Sequence, residues 1–399
     1  MSRELVYLLL IFGLLVIPRA LQRFNIPAPI TCLLFGLVAM LGLGGKVHDP
    51  VITMLSMLGI SSLFLFAGLE VDLRVLRKHL HPLVVHLLIR LFNLIWVGYA
   101  GWYFFGLGWQ AAALLALALL TPSTGFILDT LERLGLSEHE RFWVTNKAIA
   151  GELLALVALF FVLQAGDPLL LVVSSAEMLA LMTLLPLLYL AFGRWVVPHA
   201  PGSEFSLLVM VGFVAAFVTY KLGVYYLVGA FIAGLVARLL RERLPKMASE
   251  TNIHALRLFA TFFVPFYFFH AGTQISRDAL SLKALGLGLL LTLIMVPLRL
   301  GMEWLQRRVL FPQEQKQSTF RVSLAMTPTL VFTLVLAEIM HSRFGVSGVL
   351  AGALVLYTTL NTLLPSFVLR VPFDVADAGD AHTEKGHIEN AETAPKLQP

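Results

Sequence analysis

The chain has 399 residues, of which 58% are hydrophobic and only 13% are charged, with a mean hydropathy of +0.84. No soluble core hides that much apolar surface, so the composition excludes a soluble globular protein and predicts an integral membrane protein. The net charge of +5 does not indicate a nucleic-acid partner, because the basic residues are spread along the apolar region.

Thirteen apolar segments of helical length follow one another along the chain. The first, around residues 5–17, is interpreted as a helix and not as a removed signal, because Arg3 and Glu4 form a weak n-region. The pattern predicts an all-α polytopic membrane protein with helices near 4–18, 28–45, 51–72, 83–106, 109–133, 141–164, 168–192, 205–220, 224–240, 255–275, 282–306, 319–341 and 345–369.

The distribution of basic residues predicts how the chain is oriented. With thirteen spans the two termini face opposite sides, and of the 29 Lys and Arg residues 18 fall in loops of one side and six in loops of the other. The positive-inside rule then predicts an inner (plasma) membrane protein with its N-terminus outside and its C-terminus in the cytoplasm. From residue 371 the sequence turns polar and acidic, which predicts a disordered cytoplasmic tail over 371–399.

Two of the predicted helices are interrupted by nearly the same sequence. Residues 121–128 read TPSTGFIL in the fifth helix, and residues 327–334 read TPTLVFTL in the twelfth. A proline leaves backbone polar groups of the helix without hydrogen-bond partners inside the hydrocarbon region. Such a break is tolerated only where protein or a cavity provides partners for these groups. An odd offset of seven helices inverts the second copy, so the pair predicts inverted repeats with a transport site at the two breaks. Two ordinary proline kinks are the alternative.

Glu152 is the clearest candidate for the transported ions. It lies about eleven residues into the sixth predicted helix, so at ~1.5 Å per residue it is ~16 Å deep, near the bilayer midplane. Its own helical turn offers no charged partner. Burial disfavours the charged form of a carboxyl, and such a group takes a proton or a cation but not both. This competition is the minimum an exchanger needs. A structural glutamate paired with a buried base is the alternative.

Basic residues at membrane depth are candidates for balancing the charge of Glu152. Arg299 follows Pro297 in the eleventh helix and is the candidate base. Lys147 lies five residues before Glu152 and points to a different face, so a charge-balancing role and snorkelling both stay open. Arg90, in the fourth helix, is interpreted as structural.

The breaks supply further groups to a cation pathway. Half-helix N-termini balance a carboxylate, and freed carbonyls replace the water shell of a cation. Asp129 lies either on the same pathway or near a helix end. His270, within an apolar helix, either relays protons, senses pH or is structural. The predicted pathway hydroxyls are those of Thr121, Ser123, Thr124, Thr327 and Thr329.

Four stretches of the sequence read IPAPITCLLFGLVAMLGLG from Ile26, FLFAGLEVDL from Phe64, VGAFIAGL from Val228 and FFVPFYFFHAGTQIS from Phe262. In these stretches, and over about residues 5–370, the chain resembles the monovalent cation:proton antiporter-2 family, which includes sodium/proton exchangers and Kef-type potassium efflux systems. The resemblance implies a homodimer in which a core domain moves against a dimerisation domain, with crossed broken helices at the ion site. It places the acidic site on Gly151 and Glu152 and a basic partner at Arg299. The implied core covers about 83–164 and 255–341, and the implied dimerisation domain about 1–72, 168–240 and 345–370.

The chain departs from that family at the acidic pair. Relatives carry two aspartates or glutamine then aspartate, whereas Gly151 precedes Glu152 here. A single carboxylate cannot carry two protons, so we expect one-for-one, electroneutral exchange. The choice between Na⁺ and K⁺ stays open. The nucleotide-binding domain of Kef-type proteins has no counterpart motif in this sequence.

The sequence therefore predicts an antiporter that exchanges Na⁺ or K⁺ for H⁺ in pH homeostasis, surrounded by membrane lipid. One alternative is a sodium-coupled organic-anion symporter, in which Arg299, Lys147 and the threonine hydroxyls hold a substrate carboxylate. Another is a channel-like or sensor protein with a degenerate site. No hydrolytic motif, cofactor loop or metal-ligand spacing is present, and Cys32 is the single cysteine, so we expect neither an enzyme nor a cofactor.

Overall fold

The computed structural model describes residues 3–42, 49–223 and 225–369, so the predicted tail at 371–399 lies outside the described residues. The described chain is helical throughout, without strands. Its helices are α1 (Arg3–Leu21), α2 (Ala28–Gly42), α3 (Pro50–Leu69), α4 (Leu73–Lys78), α5 (Leu80–Phe105), α6 (Trp109–Leu120), α7 (Thr124–Thr130), α8 (Glu138–Gln164), α9 (Pro168–Ala191), α10 (Glu204–Lys221), α11 (Tyr226–Leu239), α12 (Glu250–Thr273), α13 (Leu282–Leu310), α14 (Lys316–Ala325), α15 (Leu330–Phe344) and α16 (Gly348–Val368).

Every predicted transmembrane helix coincides with a helix or a broken pair of helices. Eleven stretches in the described residues are long and apolar enough to cross a membrane, and α2 and α11 are shorter apolar helices. The pairs α6–α7 and α14–α15 each form one interrupted stretch. These two stretches are the most enclosed, with 89% and 94% of their apolar windows buried. Helices that are apolar on all faces belong at the centre of a membrane bundle, and the two breaks therefore lie inside the protein.

Two close helix crossings are related by the same offset of seven spans as the two Thr-Pro sequences. Helix α2 meets α12 at Gly36 and Gly272, and α3 meets α11 at Gly68 and Gly234. A Cβ placed on Gly36 would lie 3.0 Å from the Cα of Gly272, and one on Gly68 would lie 3.1 Å from the Cα of Gly234. Small residues let membrane helices approach this closely. Paired crossings of this kind are what an inverted repeat produces.

The packing of two helices differs from the grouping implied by the resemblance. Helix α12 packs against α2 and α3, although residues 255–275 were expected in the core. Helix α16 packs against α13 and α15, although residues 345–370 were expected in the dimerisation domain. The reason is the inverted repeat, since α12 and α3 are equivalent elements, as are α16 and α8. The division into a moving and a static domain stays a prediction.

The start of α8 is fixed by a capping box. The side chain of Ser137 accepts a hydrogen bond from the amide of Glu140, and Glu140 Oε2 accepts one from the amide of Ser137. This reciprocal pair satisfies orphan donors of the first helical turn. From that fixed start, α8 runs without interruption through Glu152 to Gln164 and packs against α5, α6, α7 and α14.

Candidate ion-exchange site

The two breaks meet and are hydrogen-bonded to each other. The chain is non-helical between α6 and α7 and again between α14 and α15, with Pro122 and Pro328 inside these gaps. The amide of Ser123 donates to the carbonyl of Pro328 at 2.9 Å, and Ser123 Oγ accepts from the amide of Val331 at 2.8 Å. Thr333 Oγ1 donates to the carbonyl of Ala118 at 2.7 Å. Backbone groups freed by the prolines are thus satisfied across the crossing, as a buried break requires.

Glu152 lies in α8 with its side chain turned toward the first break. The residue is 2% exposed. Thr124, the first residue of α7, lies next to the carboxyl. Neither Glu152 Oε2 nor Thr124 Oγ1 completes a hydrogen bond within the described chain. The Thr121 hydroxyl is likewise without a partner there. Hard monovalent cations prefer such oxygen atoms, so the first break offers free ligand groups beside a buried carboxyl.

Arg90 of α5 reaches the helix that carries the carboxyl. Its guanidinium lies against Gly151, where a Cβ would be 2.9 Å from Nη1. Nη2 donates to the carbonyl of Leu120, the last residue of α6. Arg90 thus contacts the backbone of α8 and the end of α6, and it forms no ion pair with a carboxylate of the described residues.

Arg299 occupies the equivalent place at the second break. Its Nη1 donates to the carbonyl of Thr327 at 2.7 Å and to the Tyr357 hydroxyl at 3.1 Å, and Nη2 donates to the carbonyl of Met326 at 3.0 Å. Each arginine thus binds carbonyls at the C-terminal end of a half-helix, where the helix dipole favours a positive charge. Arg299 balances a helix end and not the carboxylate of Glu152.

Lys147 pairs with a residue that the sequence did not single out. Its Nζ forms a buried ion pair with Glu303 of α13 and donates to Gln306 Oε1 at 3.1 Å. His86 of α5 completes the cluster, with Nδ1 3.6 Å from Glu303 Oε2 and 3.0 Å from Gln306 Oε1. Five residues of α helix rotate a side chain by about 140°, so Lys147 faces away from Glu152 and balances Glu303 instead.

The predicted pathway residues of the second break bind protein groups. Thr327 Oγ1 donates to the carbonyls of Leu324 and Asn361. Thr329 Oγ1 hydrogen-bonds to the Thr358 hydroxyl at 3.0 Å and accepts from the Asn361 amide at 3.0 Å. These hydroxyls join the break to α16, which leaves Thr121 and Thr124 as the threonines on the Glu152 side.

Asp129 lines a cavity of about 370 Å³ that reaches the first break. Gly125, next to Thr124, is one of its lining residues, and apolar residues of α1, α3 and α12 also line it. Its charged wall residues are Arg19, Asp129, Arg133 and Arg257. His270 lies apart from this cavity, near the end of α12.

Three residues of the site were not predicted from the sequence. They are Glu303, His86 and Arg90, the last of these as a neighbour of Gly151. Glu303 lies four residues after Arg299, which is one helical turn, and this spacing was an available signal for a second buried charge on the same face. A cavity of about 60 Å³ between α5, α13 and α14 is lined by Arg90, Arg299, Glu303 and His86. Partners on helices far apart in sequence carry no local signal.

Known proteins are similar to this chain over most of its length. The family model described as "Sodium/hydrogen exchanger, transmembrane" matches residues 7–373. A probable Na⁺/H⁺ antiporter 3 of Methanocaldococcus jannaschii is 26% identical over 310 residues, covering 72% of this chain and 76% of that protein. A Na⁺/H⁺ antiporter of Enterococcus hirae is 22% identical over 369 residues, covering 88% and 92%.

The fold also matches a solved structure. The sodium proton antiporter MjNhaP1 of Methanocaldococcus jannaschii at pH 8 superposes with a TM-score of 0.65 at 15% identity, covering 92% of this chain and 96% of that one. At this identity the likeness concerns the fold, which is the multi-pass helical fold with interrupted spans described above.

Proposed function

Because the chain belongs to the sodium/hydrogen exchanger family, we propose that it exchanges a monovalent cation for H⁺ at Glu152 by alternating access. The observation that carries the proposal is the Glu152 carboxyl, buried beside the first break with Oε2 unpaired in the described structure. The similar proteins of Methanocaldococcus jannaschii and Enterococcus hirae are named as Na⁺/H⁺ antiporters, which favours Na⁺ over K⁺ as the cation.

The proposed chemistry is competition for one carboxyl group. Protonated, Glu152 is neutral and tolerates its apolar surroundings. Ionised, it attracts a cation, and the unpaired hydroxyls of Thr121 and Thr124 offer further oxygen ligands. Because a proton and a cation do not occupy the carboxyl together, arrival of one releases the other. With Gly151 beside it and Lys147 held by Glu303, Glu152 is the one carboxyl that exchanges, so one cation replaces one proton and no net charge crosses the membrane, which supports electroneutral exchange.

We propose that the cavity beside Asp129 is the route by which ions reach Glu152 in this conformation. Gly125, the neighbour of Thr124, is among its lining residues. Arg257 in its wall is 3.9 Å from Glu70 and 3.6 Å from Glu132, so acidic groups offset the basic ones there. The positive-inside bias of the sequence assigns this opening to the cytoplasm.

Further features of the proposal rest on the family resemblance. They are a homodimer in the inner membrane, membership of the antiporter-2 branch, and a moving core. The packing supports a core of α5–α8 and α13–α16 and a scaffold that contains α1–α3 and α9–α12.

The test is cation-driven proton movement in proteoliposomes, read with an entrapped pH dye. Glu152→Gln keeps the size of the side chain but removes its charge, and we expect exchange to fall to the level of empty vesicles. Glu177→Gln, which removes an exposed carboxylate on α9, is the matched control and should exchange like the wild type. Cation-dependent exchange retained by Glu152→Gln would end the assignment.

The organic-anion symporter is disfavoured by the contacts of its supposed ligands. Arg299 is bound to carbonyls and Lys147 to Glu303, so neither is available for a substrate carboxylate. Sodium-dependent uptake of an organic acid by the same proteoliposomes would favour that symporter, and single-channel currents would favour the channel-like alternative.

A further inference from the structure

The cavity beside Asp129 has its polar residues gathered at one end. Arg19 and Gln22 lie at the end of the first membrane-spanning stretch, and Asp129 and Arg133 lie at the end of the first interrupted one. Gln22, Asp129 and Arg133 also line an adjoining cavity of about 70 Å³. The polar end of the cavity therefore lies where these helices reach the membrane surface.

The rest of the cavity is lined by apolar side chains. Along α12 its wall continues from Arg257 to Phe268, eleven residues further on, which at ~1.5 Å rise per residue is ~16 Å of depth. The apolar residues that line it on α1, α3, α7 and α12 include Leu14, Leu15, Leu63, Phe66, Phe126, Ala260, Val264 and Phe268. Such a wall offers no ligand to a cation, which prefers oxygen atoms, but it accommodates a hydrocarbon chain.

The polar end carries more positive than negative charge. Arg257 Nη1 lies 3.6 Å from Glu132 Oε1, so this arginine already faces a carboxylate. Arg19 and Arg133 form no hydrogen bond or ion pair in the part of the chain that the structure describes. Asp129 is the single acidic residue among those described as lining the cavity. One carboxylate does not balance both arginines, and an anion is therefore favoured at this end.

We propose that the cavity beside Asp129 binds the anion of a single-chain fatty acid. Its carboxylate lies between Arg19 and Arg133, because the planar guanidinium fork matches a carboxylate. Its chain follows α12 toward Phe268. With a C–C bond of ~1.5 Å, a depth of ~16 Å corresponds to a chain of roughly twelve carbon atoms. An apolar chain with a negative head group matches both ends of the cavity, whereas an inorganic anion matches only the polar end.

The consequence for transport rests on the proposed function. Gly125, the neighbour of Thr124, is among the residues that line the cavity. A chain bound there occupies the proposed route of ions to Glu152, so the fatty acid should inhibit exchange. Binding itself does not depend on that route and is tested separately.

The binding experiment photolabels the full chain in phosphatidylcholine vesicles with dodecanoate that carries a diazirine in its chain. We expect label on peptides of α1 and α12 near Leu15 and Val264, displaced by unlabelled dodecanoate but not by dodecyltrimethylammonium. Replacing both arginines, Arg19→Gln with Arg133→Gln, should reduce the labelling about tenfold, because charge-assisted hydrogen bonds are lost. Arg194→Gln, an exposed arginine at the end of α9, should be labelled like the wild type.

Three labelling results would overturn the proposal. They are label that unlabelled dodecanoate does not displace, equal labelling of the wild type and the double variant, and label confined to outward-facing residues such as Phe12, which is 64% exposed. A two-chain phospholipid label that reaches the same peptides and depends on the same arginines would overturn the choice of a single chain. If the double variant does not fold, Leu15→Trp decides, since it fills the apolar part and should also reduce the labelling.

The transport experiment measures ²²Na⁺ exchange in proteoliposomes at equal pH on both sides. The probe is dodecane-1-sulfonate, which stays charged and so carries no protons across the bilayer. We expect it to inhibit the wild type, and about tenfold more to be needed for the double variant, each compared with its own uninhibited rate. Equal potency in both would contradict specific binding. A wild type without any exchange contradicts the proposed function, whereas displaceable labelling without inhibition contradicts only the proposed route.

Discussion

At the scale of single residues, the ion pair of Lys147 and Glu303 is the most enclosed charged contact of the site. Lys147 is 0% exposed, and Glu303 also faces His86. Removing charges from water is costly, so a buried pair is stable only while both partners are present. His86 and Gln306 add hydrogen bonds that complete the cluster.

Breaking this pair should destabilise the protein strongly. We expect Lys147→Met or Glu303→Leu alone to cost about 3–5 kcal/mol, because each leaves an unpaired buried charge. The double variant should be close to the wild type in stability. A double-mutant cycle of thermal unfolding in detergent measures this coupling, and additive single effects would contradict it. We also expect the double variant to exchange cations, since Lys147 does not face Glu152.

At this scale, Glu152 could be singled out as a candidate from the sequence, whereas its neighbours in the fold could not be predicted. An isolated glutamate deep in an apolar helix is conspicuous in any sequence. Its neighbours Thr124 and Arg90 come from α7 and α5, however, and the rotation of one helix against another is set by packing. For the same reason the sequence left open whether Lys147 balances Glu152 or snorkels, and its partner in the structure is 156 residues away.

At the scale of elements, the turn between α13 and α14 holds the second interrupted span through Glu314. Arg307 Nε donates to Glu314 Oε2 at 3.0 Å, and Ser318 and Thr319 donate to the same carboxylate. Burial acts to raise the pKa of Glu314, but the hydrogen bonds and charge of Arg307 outweigh it and bring that pKa below its ordinary value of 4.5. His139 lies 4.0 Å away on α8.

This turn should make the protein sensitive to acid. Because the pKa of Glu314 is lower in the folded state, its stabilising effect is complete above pH 4.5 and is lost as pH falls below that value. Glu314→Gln should therefore lower the Tm at neutral pH, and the difference from the wild type should shrink in acid. Glu242→Gln, which alters an exposed pair with Arg74, is the control. A Tm difference independent of pH would contradict the assignment.

The interrupted helices were predictable as elements because proline acts locally. Pro122 and Pro328 fall inside the two gaps, and the thirteen apolar segments coincide with helices or broken pairs. The hydrogen-bond partners of the hydroxyls were not predictable. The Ser123 hydroxyl connects the two breaks, whereas the hydroxyls of Thr327 and Thr329 connect the second break to α16. Threonines at equivalent positions of two repeats face different neighbours, so their roles differ.

At the scale of the whole molecule, the proposed exchange through a single carboxylate predicts how transport responds to voltage. Moving one net charge through 100 mV corresponds to about 2.3 kcal/mol, so electrogenic exchange would respond strongly to voltage. We expect a potential imposed across proteoliposomes to leave the rate of Na⁺/H⁺ exchange unchanged. A clear acceleration would show that a further charge moves, and Asp129 in the cavity wall is then the first candidate.

The overall architecture could be predicted from hydropathy and from the offset between the repeats. The helices against which α12 and α16 pack could not be predicted in this way. Hydropathy reports that a helix is apolar, and it does not report which helix it packs against. For α12, the pairing of Gly272 with Gly36 of α2 was the missing information. Their pairing depends on backbone approach between distant segments.

Two hydrogen bonds, one between Ser123 and Pro328 and one between Val331 and Ser123, join the two interrupted spans where they cross. In the proposed alternating-access cycle we expect a movement of one span to carry the other with it, so that the transported ion keeps the same ligands throughout. We then expect the intrinsic affinity for the ion to be equal on both sides of the membrane, and any difference in apparent affinity to arise in the cavities that lead to the site, such as the one beside Asp129.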